Sequence, residues 1–557
     1  MKTRLLSALI ATVLCVPVAH AAIIPVNQDP DGTGLNDPTA RAPEGGNPGT
    51  TVGEQRRIVY QFAADLWGSV LETDVDVRVA ASFPVDLGCT STSATLGAAA
   101  ALWLNWNFPN APLADTIYHS ALANQIAGEN INATSPDYTP PNDVEIYSFF
   151  NANLGQPGCL DGIGWYYGLD GNTPANQINF LDTVMHEIGH GLGFSGFVGL
   201  TNGVLGNRVG ANGTSDIYTH FAYDNVTGAR FDDPSMDRFL RRDSMATQGR
   251  VGWDGDNAKS EAPAFLGPKT AVQVTGATSA NFAFFGTASF GAPATSANFD
   301  GDIVIVDDGA GPDNADACEP LAADSLTGKV AFINRGTCSF EPKAANAEAA
   351  GAIAVIIGNV EASASPGDAP NMGPADPPLG TVTIPVLSLN LANANVIRTQ
   401  ATDMHVALGE VEGEYAGADS DGRPLLYAPS TVANGSTFSH FDISLTPDAV
   451  MEPFASDDTA ANLRLDLTPA VFQDEGWVLK QGNAKIGRTH CDTWVPLMTG
   501  PGIITGANIV ANDNLCSASG SLSARRSCMQ AVAAQLKAQG LITSSQERKI
   551  NTCTMLR

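Results

Sequence analysis

The chain has 557 residues, a length for several domains, and 58 acidic against 29 basic residues, for a formal charge of -29. That balance excludes nucleic acid and anionic membrane surfaces as natural partners. Charged residues make up only 16% of the chain, below the usual roughly 25%, while glycine (56) and proline (34) are plentiful, so a loop-rich globular protein is expected. Lys2 and Arg4, the apolar run from Leu5 to Val18 and the small residues around Ala19 and Ala21 read as a secretory signal peptide over residues 1–21. The run is too short for a transmembrane anchor, and no later stretch is apolar enough for a membrane span. Cys15 would leave with the signal peptide. Cys89, Cys159, Cys318, Cys338, Cys491, Cys516, Cys528 and Cys553 then form an even set in an oxidising compartment, where disulfides are favoured. No CxxC occurs, which argues against cysteine-bound zinc.

After a Gly, Pro and Asn-rich lead, Gly53 to Leu71 repeats apolar residues at helical spacing (Ile58, Val59, Phe62, Ala63, Leu66, Trp67, Val70, Leu71), which predicts a helix packed on a sheet. Val75–Ala80 and Val144–Phe150 alternate like half-buried strands, and Ile163–Asp170 is aromatic-rich and bounded by glycine. The next segment contains "HEIGHGLGFSG", His186 to Gly196. On a helix, His186 and His190 lie four apart on one face and can present ring nitrogens to one ion, with Glu187 beside it. Leu181, Met185, Ile188 and Leu192 form the opposite, buried stripe. Two imidazoles and a glutamate in this order point to one catalytic zinc ion whose bound water loses its proton to Glu187.

From 270 to 409 the chain becomes rich in Ala, Gly and Val, with short strands and no catalytic constellation. "DACEPL" (Asp316–Leu321), "GKVAFINRGTCSFEPKAANAEAAGAIAVIIGN" (Gly328–Asn359) and "TIPVLSLN" (Thr383–Asn390) resemble a protease-associated (PA) domain. That resemblance implies a β-rich accessory without catalytic residues and a disulfide between Cys318 and Cys338. Further on, "LTPAVFQDEGW" (Leu467–Trp477) predicts a short helix with Thr468 as N-cap, Pro469 at its first position and Gly476 as its stop. Arg525–Gly540 and Ser544–Cys553 read as two helices. Cys528 with Cys553 could staple them, and Cys491 with Cys516 could close the preceding loop, but spacing alone does not decide the pairing, nor the partners of Cys89 and Cys159.

A zinc site needs a third protein ligand. "HEIGHGLGFSG" resembles the metzincin motif HExxHxxGxxH, yet position 196 is glycine. The leishmanolysin-like branch of the metzincins supplies that histidine after an insertion, in a segment of the form Gly-Ser-x-x-Ser-His-aromatic, which "GSTFSHF" (Gly435–Phe441) matches. The resemblance implies His440 as third ligand, and "AVMEPF" (Ala449–Phe454) as the Met-turn, with Met451 as an apolar floor. It covers 53–197 loosely and 435–477 more closely. No tyrosine follows Met451, so an astacin-like tyrosine is not implied. His220 and, as a gluzincin-type ligand, Glu261 are rivals without a matching motif. His119, His405 and His490 carry no assigned role. Asp182 reads as a solvated helical residue, with orientation of an imidazole as the alternative. No motif supports a calcium site.

The expected class is α+β: a signal peptide (1–21), a zincin/metzincin-like catalytic domain in two parts (22–269 and 410–485), an inserted β-rich PA domain (270–409) and a small disulfide-linked helical segment (486–557). The expected function is secreted zinc endopeptidase acting on protein or peptide substrates, with a zinc amidase or other metallohydrolase, and more distantly an inactive extracellular adhesion protein, as alternatives.

Overall fold

A computed structural model describes residues 22–555 apart from 86, 202–203, 209–213, 277, 400–402, 457 and 519. The expected signal peptide lies outside the described residues. Among them, no helix is long and apolar enough to cross a membrane.

The first layer is a four-stranded sheet in the order β1 (Ile23–Asn27), β2 (Val77–Ser82), β4 (Ile146–Phe150), β3 (Gly97–Ala101). β1, β2 and β4 run parallel, and β3 runs antiparallel to β4 as an edge strand. Two helices cover the sheet. α1 (Val52–Val70) starts at a capping box in which Thr51 and Glu54 satisfy each other's backbone N–H groups. It lies along β1 and against the second helix, Phe180–Leu192, which packs on β3 and β4. The apolar spacing read from the sequence is the buried face of α1: Val59, Phe62, Ala63, Leu66, Trp67 and Val70 are all within 2% of full burial. Ile163–Asp170 contributes only a three-residue strand, Gly164–Tyr166, and packs mainly through its rings.

The core of this unit draws on residues from both sides of the insertion, from Ile23 to Leu266 and from Ala418 to Ala511. The intervening segment has its own eight-stranded sheet and two separate hydrophobic clusters, one on each face. Its first and last strands, Pro268–Gly276 and Met404–Tyr415, pair with each other, Pro268 opposite Tyr415. The chain therefore leaves and re-enters the first unit at adjacent points, and the last strand runs past the boundary expected at residue 409.

Two local expectations are corrected. The helix expected from Thr468 spans Thr468–Glu475, but its N-cap is Leu467; the Thr468 hydroxyl instead donates to Asp466 at 2.7 Å. One further boundary is blurred: the C-terminal segment has its own cluster around Ile509, Met529 and Ile550, yet Thr505–Ser517 packs on α1 and Ile504, Ala507 and Ala511 join the first core. The disulfides there are Cys491–Cys553 and Cys516–Cys528, not the suggested Cys528–Cys553 and Cys491–Cys516. The strand Cys491–Pro496 lies beside the last helix, Ser544–Cys553, and Cys516 closes one helix where Cys528 enters the next. The observed pairs are 5.4 and 5.7 Å apart at Cα, within bridging reach. Cys89–Cys159 and Cys318–Cys338 complete the four bridges, which fit an oxidising compartment.

Candidate metal centre

The helix Phe180–Leu192 begins where Asn179 accepts the N–H groups of Leu181 and Asp182 at 2.9 and 3.2 Å, and it ends at Gly193. Leu181, Met185, Ile188 and Leu192 are at most 1% exposed, so the apolar stripe faces the core as its spacing predicts. His186 and His190 are thereby turned together towards the opposite side.

His440 arrives at the same point from about 250 residues further along the chain. The Nε2 of His186 lies 3.0 Å from that of His190 and 3.2 Å from that of His440. These are not hydrogen bonds. Each Nδ1 donates at 2.7 Å to a backbone carbonyl: His186 to Val450, His190 to Phe194 and His440 to Ser436. A carbonyl only accepts, so each Nδ1 carries the proton and each neutral ring turns an Nε2 lone pair to the common centre. Burial lowers the pKa of His186 to about 4; burial and then the neighbouring His186 lower that of His190 to about 3; burial and both neighbours push His440 well below its usual value. Three neutral acceptors facing one another repel unless a cation lies between them. Four-coordinate zinc, with bonds of 2.0–2.1 Å, sets ligand nitrogens about 3.3 Å apart, close to the observed spacing. Imidazoles held by Nδ1–H to carbonyl bonds are also the usual surroundings of metal-binding histidines.

Glu187 is 5% exposed, and its Oε2 has no hydrogen-bond partner. Burial raises its pKa to about 8. Its carboxylate lies against Gly97 at the start of β3, where a Cβ would come within 2.6 Å of Oε1. Met451 is fully buried, with its sulfur against Gly189, where even a methyl group would sit 2.6 Å from Sδ. The turn bearing Met451 holds two of the three histidines, since Val450 O receives His186 Nδ1 and Met451 O receives the N–H of Phe441 at 2.9 Å. The glycine at position 196 also has a physical reason. Its Cβ would lie 2.3 Å from the Phe438 ring, and its N–H donates to Ser439 Oγ at 3.1 Å. The segment that brings His440 therefore occupies the space a side chain at 196 would need.

The rivals lie elsewhere. His220 Nδ1 pairs with Asp232 at 2.6 Å and its Nε2 meets Arg230 at 3.1 Å. Glu261, on the helix Asp256–Phe265, joins no group of ligand-type side chains among the described residues. His405 pairs with Asp300 and Asp302 on the inserted sheet, and His490 is exposed. Asp182 is half-buried and not bound to an imidazole: it accepts the Ala461 N–H at 3.0 Å, and desolvation raises its pKa to about 7. It ties the motif helix to the segment after the Met451 turn. A second acidic group, Asp308, Asp316 and Glu319, lies beside buried Lys343, whose Nζ is 3.9 Å from Asp316 and supplies positive charge.

Sequence reasoning missed the three carbonyls that orient the rings. Only Val450 carried a signal, because it precedes Met451; Phe194 and Ser436 are read by backbone position, which no side-chain pattern reports. It also missed fully buried His119, whose Nε2 meets Ser195 Oγ at 2.9 Å while Ser195 donates to His190 O at 3.3 Å.

Residues 269–397 match the PA domain family model. No curated protein matches the chain. Among solved structures the chain is similar to BSAP, a zinc aminopeptidase from Bacillus subtilis, with 24% identity over 27% of this chain and 33% of that one and a TM-score of 0.19. It is similar to a peptidase M28 precursor from Shewanella amazonensis, with 14% identity over 26% and 36% and a TM-score of 0.17. It is also similar to the psychrophilic subtilisin-like protease Apa1 from an Antarctic Pseudoalteromonas, with 17% identity over 31% and 38% and a TM-score of 0.21. These matches span little more than a third of the solved chains, so the nature of the histidine cluster rests on the residues that form it. The chain contains a PA domain, set into an α+β unit that bears the cluster.

Proposed function

We propose that the protein is a secreted zinc endopeptidase of metzincin type, leishmanolysin-like in receiving its third ligand after an insertion. The observation that carries this reading is the convergence of three Nε2 lone pairs, each fixed by an Nδ1–H to carbonyl bond, beside a buried glutamate with a free oxygen. His186, His190 and His440 would hold the ion, which when bound supplies a polarised water and a Lewis acid for the substrate carbonyl.

The chain's own residues perform the rest. Burial alone favours protonated Glu187, but a cation held by the histidines would favour its ionised form; its Oε2, without a competing donor, then takes the proton of the attacking water and passes it to the leaving amine. Met451 and Gly189 close the space beneath the histidines to water. β3 is the free edge of its sheet and begins at Gly97, in contact with Glu187. An extended peptide adding to that edge would be held by main-chain hydrogen bonds and pass the glutamate, which suits cleavage within a chain.

The test combines metal analysis of the purified chain with peptide-library cleavage, before and after chelation and after zinc is returned. One zinc per chain and internal cleavage that disappears with the metal are expected. Activity indifferent to chelation overturns the zinc reading, and release of terminal residues alone overturns the endopeptidase reading.

A further inference from the structure

The segment that delivers His440 is held from two sides. Residues 425–442 form a hairpin in which Asp442 N–H donates to Leu425 O at 2.9 Å, Tyr427 N–H to His440 O at 2.9 Å and Phe438 N–H to Tyr427 O at 2.8 Å. Its inner part is fixed to the catalytic unit: Leu426 N–H donates to Val251 O at 2.9 Å and Tyr218 Oη to Phe438 O at 2.9 Å. The tip contains Ser436, whose carbonyl orients His440. Within the tip, Thr437 N–H donates to Ala433 O at 2.9 Å and Ala433 N–H to Thr437 Oγ1 at 2.9 Å.

The tip's outer anchor comes from the inserted domain. Asp368 accepts both the N–H and the hydroxyl of Ser430, at 2.9 and 2.7 Å. Asp368 is in turn built into the PA sheet. Its carbonyl accepts Asn359 Nδ2 at 2.8 Å, and the same amide donates to Ser365 O at 2.9 Å. Asn359 is fully buried, follows the strand Ala354–Gly358 directly, and donates its N–H to Leu389 O at 2.9 Å. A path therefore leads from the PA sheet by hydrogen bonds through Asp368 to Ser430, then along the three residues of chain to Tyr427, whose N–H donates to His440 O. A carboxylate holding two donors is the strong form of such a contact, and metal ligation is sensitive to groups that fix a ligand at one remove.

We infer that the PA domain positions the third histidine: Asp368 is a positioning residue that acts through Ser430 on the loop orienting His440, so metal retention depends on the inserted domain. The metal part of this inference rests on the zinc reading above. The domain's linkage to the site then has a chemical consequence, because anything that moves residues 359–368 also loosens the ligand.

The test uses the full chain with Asp368→Ala, Ser430→Ala, the double variant and Asp368→Asn. Asp302→Ala is the control, since Asp302 pairs with Lys329 and His405 on the same domain. Amide exchange is followed in the metal-free protein over residues 425–442, and zinc release is timed by transfer to a chromophoric chelator. In Asp368→Ala and in Ser430→Ala, exchange at Tyr427 and Phe438 and the release of zinc should each accelerate about tenfold or more. The double variant should be no worse than Asp368→Ala, Asp368→Asn should recover most of the loss through its remaining oxygen acceptor, and Asp302→Ala should match the parent. Unchanged exchange in the single variants overturns the inference whether or not zinc binds. Faster exchange in the single variants, with a parent chain that binds no zinc, supports the linkage and overturns the zinc reading instead. Ser430→Ala, a surface-loop change, carries the test alone if Asp368→Ala does not fold.

Discussion

His440→Ala separates the assignment of the third ligand from its nearest rival. Structural zinc sites with four protein ligands are worth about 10–16 kcal/mol, or about 3–4 kcal/mol per ligand. Removing one imidazole of three should therefore weaken zinc binding by about 10²–10³-fold. The cost to the fold is smaller. The lost Nδ1–H leaves the carbonyl of half-buried Ser436 without that donor, so about 1 kcal/mol is expected. His220→Ala removes contacts to Asp232 and Arg230 from a side chain that is 25% exposed, and costs about 1 kcal/mol or less with full zinc content. Both folded variants are dialysed against a weak chelator and their zinc is counted. His440→Ala should lose most of its metal and His220→Ala none. The reverse result refutes the geometry described for the histidines, and with it the proposed resemblance.

Three further outcomes follow from the same structure. Glu187→Gln keeps all three imidazoles and should retain about one zinc per chain while peptide cleavage falls about 10²–10⁴-fold; turnover above a tenth of the parent, with zinc present, removes Glu187 from the role of base. Gly196→His restores the metzincin sequence but drives Cβ to 2.3 Å from the Phe438 ring, so thermal denaturation should show a loss of about 1–3 kcal/mol. The double variant with His440→Ala should not regain zinc, and recovered zinc there shows that position 196 can reach the centre after all. Asp254 is held by Arg423, Lys259 and Arg230, which together lower its pKa to about 2 although burial opposes them. Its folded pKa lies below the unfolded one, so this stabilisation is present above about pH 4 and is lost as the pH falls through about 2. Asp254→Asn should cost about 1–2 kcal/mol at pH 7 after solvent screening, with the gap to the parent closing on acidification; a gap independent of pH in denaturant titrations refutes the ionic origin.

The parts of this molecule that the chain announces are those set by short spacing. The four-residue interval puts His186 and His190 on one helical face and Leu181, Met185, Ile188 and Leu192 on the other, because helix geometry alone decides which side chains share a side. The PA domain is legible for a similar reason: its strands and helices form their own cores between residues 272 and 408, without help from the rest of the chain. His440 was marked only by its neighbours in a family-like motif, since no local rule links it to a helix some 250 residues earlier. That link exists because the inserted domain's terminal strands pair and return the chain to its point of departure.

Other features had no sequence signal because they are properties of backbone placed by packing. The carbonyls of Val450, Phe194 and Ser436 choose the tautomers of the three rings, and any residue type supplies a carbonyl. Asp182 read as a solvated helical residue, yet it is half-buried and accepts the Ala461 N–H from a segment far along the chain. The C-terminal cysteines allowed several pairings at similar separations, and the choice went to Cys491–Cys553 and Cys516–Cys528 because a strand and a helix pack side by side there. Local periodicity thus determined the elements and the first two histidines of the cluster. Which loop completes the site, and which domain holds that loop, were decided by long-range contacts that exist only in the folded chain.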